Sequence, residues 1–161
     1  MVSVFIMAMV LGLFLANYHG INSQSKLINA AYQAAGDIRM AQNYSMGLKQ
    51  ADSGPAPAGG WGIHFDISSP DSYILFGDDN SSKIYDALEE IETISLPEGI
   101  RIDSIDLGSE TYADIVFLPP DPAIYINDTG ASLAKITIRL TNGNSTKAVY
   151  VNSLGLVDVM N

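Results

Sequence analysis

The chain has 161 residues, room for one domain of ordinary size and an appendage. Its 18 acidic residues against 8 basic ones give a formal net charge of −10, which argues against a protein whose affinity rests on Lys and Arg neutralising phosphates. With no cysteine, disulfides, thiolate catalysis and Cys-ligated zinc or iron–sulfur centres are excluded.

The first element is the uncharged, almost wholly apolar run MVSVFIMAMVLGLFLA, from Met1 to Ala16, and the next charge is Lys26. Each charge at mid-membrane costs about 2.5–3.5 kcal/mol on insertion scales, so this run suits either a bilayer or an apolar helix bundle. A secretory signal would carry a basic segment ahead of the run and a small-residue cleavage site after it. Here the chain continues through Asn17 to Ile21 into NSQSKLINAAYQAAGDIRMAQNYSMGLKQ with helical periodicity instead.

In that second segment Leu27, Ala31, Ala34, Ile38, Ala41, Ser45 and Leu48 recur at alternating steps of four and three and share one helical face. The small residues permit close approach of a sheet, while Lys26, Gln33, Asp37, Gln42 and Lys49 read as the solvated side. The plain reading is a helix covering its own domain's core, with Leu27, Ala31, Ala34, Ile38, Ala41 and Leu48 as the stem-to-head contacts. A continuous helix of about fifty residues would be roughly 75 Å long at 1.5 Å per residue, so its first half is expected to project. Helix signals stop at ADSGPAPAGG, Ala51 to Gly60, which reads as a Pro/Gly linker.

From Trp61 the period becomes strand-like. WGIHFDIS places Trp61, Ile63, Phe65 and Ile67 on one face and Gly62, His64 and Asp66 on the other, with SYILFGD as its hairpin partner after SSPD. Further strands are expected in ETISLP, GIRIDSIDL, ADIVFLP, AIYIN, LAKITIRLT, KAVYVNSLG and LVDVM, with turns at 97–99, 119–122, 127–130 and 142–144. The expected fold class is α+β: a long N-terminal helical stem over 1–50, apolar then amphipathic, a linker over 51–60, and an antiparallel β-sheet or sandwich head over 61–161.

Chemistry-bearing motifs are sparse. DDNSSKIYD offers oxygen ligands at Asp78, Asn80 and Asp86 and resembles half of a calcium loop, but Lys83 sits inside it and the central glycine is absent. A solvated acidic turn is the plainer alternative, and Ca2+ is the only ion for which the segment is a candidate. His64 and His19 are the only histidines, and His64 reads as a surface or sheet-face residue. No serine has a nucleophile-elbow setting, and PAPAGGWG lacks the ending of a phosphate-binding loop, so the chain gives no positive sign of catalysis and no cofactor is expected. Asn-x-Ser/Thr triplets stand at Asn43, Asn80, Asn127 and Asn144. Lys135, Arg139 and Lys147 are the one local basic group that opposes the acidic average; no nucleic acid and no small-molecule substrate is expected.

Taken together, an apolar N-terminal helix, its amphipathic continuation LINAAYQAAGDIRMAQNYSMGLKQ, then GGWGIHFD and YILFGDDNSSKIYD, resemble the type IV pilin and type II secretion pseudopilin superfamily, most closely its minor, H-type (FimT-like) branch. Members begin with a short basic leader ending in glycine, then an aromatic residue and a docking glutamate. Met1-Val2-Ser3 already stands inside the apolar run, so the leader and first mature residues are expected to be missing from this sequence. The resemblance implies a structural, minor subunit of a type IV pilus or type II secretion-like pseudopilus. It implies a single pass in the inner membrane with the head extracytoplasmic, then polymerisation with other pilin or pseudopilin subunits, in the periplasm or at the cell surface. The membrane and inter-subunit contacts are expected from Val4, Phe5, Met7, Met9, Leu11, Leu13, Phe14 and Leu15, with Gly12 and Gly20 as points of close approach or bending. The alternative is a membrane-tethered extracytoplasmic binding module that never polymerises.

Overall fold

The structure is a computed structural model that describes residues 2–51, 54–119, 123–128, 132–141 and 143–160, the side chains of 13–22 and 140 excepted. Among the described residues one helix, α1 (Val2–Met46), precedes nine strands. β1 (Trp61–Asp66), β2 (Ser72–Gly77), β3 (Glu90–Ser95), β5 (Tyr112–Leu118) and β6 (Ala123–Ile126) form one antiparallel sheet in the order β3-β2-β1-β5-β6. β4 (Ile100–Asp106), β7 (Leu133–Leu140), β8 (Thr146–Asn152) and β9 (Val157–Met160) form the second, in the order β4-β7-β8-β9. The strands fall on the alternating stretches, and β1 and β2 form the hairpin that SSPD suggests, with Ile63 opposite Leu75. Of the expected turns, Pro120 to Pro122, Thr129, Gly130 and Asn142 lie outside the described residues.

One hydrophobic cluster draws on both sheets and on the helix. The five-stranded sheet supplies Trp61, Ile63, Phe65, Tyr73, Ile115 and Phe117, and the four-stranded sheet supplies Ile102, Ile136, Ile138, Val149 and Val151. Between them α1 contributes Leu27, Ala30, Ala31, Ala34, Ala35, Ile38 and Ala41, all buried, and its small side chains let strands from both sheets close on one helix.

Polar side chains clamp the same stretch. Asp37 accepts a hydrogen bond from the Tyr73 hydroxyl, the Arg39 guanidinium donates to the Val157 carbonyl at 2.6 Å, and the Ser45 hydroxyl accepts from the Trp61 amide at 2.8 Å. Burial, then the bond to Asp37, pushes the Tyr73 hydroxyl well above its ordinary pKa. Asp37 therefore serves a tertiary contact and is not simply part of a solvated side. The helix ends where Gly47 and Lys49 amides close on Asn43 and Tyr44 carbonyls and Leu48 turns left-handed at φ 49°.

The expected α+β stem-and-head class is corrected on this point. The chain is mostly β, two antiparallel sheets, and the helical stretch 23–46 is a piece of the core instead of a stem leading to it. The helical side chains are described over 2–12 and 23–46, and among the described residues no helix is long and apolar enough to cross a membrane. The physical reason is the alanine stripe: Ala30 and Ala35, beside the predicted positions, widen it into a surface that both sheets cover. Leu48 is corrected as well. It lies past the helix end and is 56% exposed, not a packing contact.

Candidate functional site

Three surfaces carry the residues singled out by sequence. The first is the start of α1. Val2, Val4, Phe5, Ile6, Met7, Met9, Val10 and Leu11 are all exposed, Phe5 at 73% and Met7 at 69%, and none joins the hydrophobic core. Large apolar side chains standing together in water mark a surface meant to be covered. A Cβ added at Gly12 would meet nothing within 4 Å, so that position leaves room for a neighbour. Leu13, Phe14, Leu15 and Gly20 lie outside the described side chains.

The second is the loop between β2 and β3, residues 78–89, which holds the calcium candidates. Asp78 is fully buried, and its two carboxylate oxygens accept hydrogen bonds from the amides of Ser82 and Lys83, each at 2.9 Å. Asn80 Oδ1 accepts from the Ser82 amide at 2.7 Å and Asp86 Oδ1 from the Leu88 amide at 3.2 Å. These oxygens are turned onto backbone donors, and among the described residues no group of three or more His, Cys, Asp or Glu is placed to hold a metal ion. Burial of Asp78 also departs from a solvated turn. Gly59 makes that burial feasible, because a Cβ there would stand 2.1 Å from Asp78 Oδ2. Glu89 completes the loop: its Oε1 accepts from the Asp79 and Asn80 amides, while Oε2 is buried with no partner among the described residues. Burial, together with the nearby Asp78 carboxylate, raises the Glu89 pKa above its ordinary value despite those amides.

The third surface is the outer face of the five-stranded sheet, and sequence reading missed most of it. Register pairs His64 with Asp114 across β1 and β5, and the His64 Nδ1–H donates to Asp114 Oδ1 at 2.6 Å. Asn127, left-handed at φ 50°, accepts from the Asp114 amide through Oδ1 and donates to the Tyr112 carbonyl through Nδ2. The Tyr85 ring, brought in by the 78–89 loop, stacks on the His64 imidazole at 4.6 Å between centroids and meets Phe76 edge-on at 5.5 Å. Phe76 in turn lies over Gly62, where a Cβ would come within 2.6 Å of its ring. Lys83 from the same loop reaches Asp128 at 3.0 Å, which raises its pKa, and sits 4.1 Å over the Tyr125 ring.

These bonds hold the loop against the sheet. The Tyr85 ring stacks on the imidazole, and its hydroxyl donates to Glu90, so the His–Asp pair anchors the loop. The signal available in sequence was Asp114 itself, a charge among ADIVFL at a position that the register sets opposite His64.

The basic trio does not form a bare cationic patch: Arg139 pairs with Asp103 at 2.9 Å, and Lys135 extends over the Tyr150 ring. Comparison with protein-family models, with curated proteins and with solved structures finds no match to this chain.

Proposed function

We propose that the chain is a structural, minor subunit of a type IV pilus or type II secretion-like pseudopilus that assembles by packing the exposed start of its helix against other subunits. The observation that supports this is the split within α1. Residues 2–11 present Val4, Phe5, Met7, Met9 and Leu11 to solvent, while Leu27, Ala31, Ala34, Ile38 and Ala41 of the same helix are buried in the core. A folded unit that holds out a row of uncovered apolar side chains gains hydrophobic free energy only by covering them, roughly 25 cal/mol for each Å² buried. The acidic net charge keeps the β-sheets soluble while the helix carries association. Retention at the inner membrane before assembly belongs to the same proposal and rests on the resemblance to pilins.

The test is deletion of residues 1–16. The shortened chain is expected to fold, because its core lies in residues 27–157, and to lose incorporation into filaments in cells that make them. Assembly by the shortened chain would refute the proposal. Cysteine crosslinking from position 5 or 9 distinguishes the alternative: adducts with pilin-like partners support a filament, and monomeric helices support a tethered binding module.

A further inference from the structure

The four Asn-x-Ser/Thr triplets, which the assembly proposal leaves unused, fall into two structural classes. Asn127 is buried, and both ends of its carboxamide are engaged, Oδ1 by the Asp114 amide at 2.6 Å and Nδ2 by the Tyr112 carbonyl at 3.1 Å. Asn43 is exposed but lies inside α1, and the hydroxyl that completes its triplet, Ser45 Oγ, is buried and accepts the Trp61 amide. Neither triplet can be read by an enzyme that needs the asparagine and the hydroxyl together on accessible, non-helical chain.

Asn80 and Asn144 differ. Asn80, Ser81 and Ser82 are all exposed in the 78–89 loop; Asn80 Oδ1 takes the Ser82 amide at 2.7 Å, and Nδ2 has no bond to a described residue. The Ser82 hydroxyl, unlike that of buried Ser45, makes its bonds at the surface, to the Ile84 carbonyl at 2.9 Å and from the Ile84 amide at 3.3 Å. Asn144 is exposed in the connection between β7 and β8, with Thr146 exposed at the start of β8 and no described hydrogen bond on the Asn144 carboxamide. Two acceptor nitrogens thus stand in non-helical chain with exposed hydroxyls two residues on.

We propose that Asn80 and Asn144 are N-glycosylation acceptors and that the fold withholds Asn43 and Asn127. In the transfer, Nδ2 bonds to the anomeric carbon of a saccharide carried on a polyprenyl phosphate, and the bond from that carbon to the phosphate oxygen breaks. The phosphate keeps the electron pair, and the Nδ2 proton passes to a base of the transferase. Both acceptors lie in loops of the sheets, remote in sequence from the exposed helix, so glycans there leave residues 2–11 open for assembly. The inference is independent of the filament proposal.

The test incubates the purified, folded chain with a single-subunit oligosaccharyltransferase and a polyprenyl-linked oligosaccharide, beside a triplet-containing peptide as positive control. Intact mass and peptide mapping read the sites. Up to two glycans are expected, at Asn80 and Asn144; Asn80→Gln and Asn144→Gln each remove one and the double variant accepts none. Urea-unfolded chain, diluted into the reaction, should also become modified at Asn43 and Asn127. A glycan on Asn43 or Asn127 of the folded chain, or an unmodified chain beside a modified control peptide, overturns the proposal.

Discussion

The two described stretches of α1 place apolar residues in opposite environments. Residues 2–11 hold large apolar side chains in solvent, and residues 27–45 hold mostly small ones in the core, with Leu27 and Ile38 among them. Size explains the difference. An alanine stripe lets two sheets close on the helix, whereas Phe5, Met7, Met9 and Leu11 offer side chains long enough to fill grooves on another helix. One stretch is spent on folding, and the other remains available for association.

The sharpest way to break that contrast is a cavity in the buried stretch. Ile38 is fully buried between the sheets, and Ile38→Ala should cost about 2–5 kcal/mol, read from the shift of the urea or guanidinium midpoint. A loss below about 1 kcal/mol would mean that the helix is peripheral to the core. Next comes the outer face of the five-stranded sheet. His64→Ala removes the donor from buried Asp114 and the partner of the Tyr85 ring, and should cost about 1–3 kcal/mol. Limited proteolysis should then cut within residues 78–89 faster than in the wild-type chain.

The spacing of Leu27, Ala31, Ala34, Ile38 and Ala41 was readable because a helix repeats every 3.6 residues, and the strands were readable because theirs repeat every two. What stayed hidden were bonds between residues far apart in the chain. His64 with Asp114, Asp37 with Tyr73 and Ser45 with Trp61 are separated by 50, 36 and 16 positions, and no local period reports them. Asp78 read as part of a solvated acidic turn because acidic residues are mostly exposed, and Asp114 drew no reading. Only the register of β1 with β5, and the absence of a side chain at Gly59, bring them inside. Leu48 failed for the opposite reason: it continues the helical period on paper, but Gly47 ends the helix first.

Glu89 gives a smaller, pH-dependent effect within the loop. Its folded pKa is raised, so its favourable contribution is complete below the ordinary glutamate value and is lost as pH rises through the folded one. Glu89→Gln keeps an acceptor for the Asp79 and Asn80 amides without the buried charge. The variant should match wild type in acid and gain on it as pH rises, with a constant advantage once Glu89 is ionised. Denaturation at a series of pH values reads the difference, and a gap that shrinks with rising pH would reverse the assignment.

The smallest effect on folding is expected where the effect on association is greatest. Phe5 is 73% exposed and touches nothing in the core, so Phe5→Asp should change stability by no more than about 0.5 kcal/mol. The same charge placed at a helix–helix contact is desolvated without a partner, and it should abolish assembly. Denaturation and filament incorporation measured on one preparation separate the two. If Phe5→Asp destabilised the fold as Ile38→Ala does, residues 2–11 would belong to the core and the contrast between the two stretches would collapse. Unchanged stability with unchanged incorporation would instead leave the exposed stretch without an assembly role.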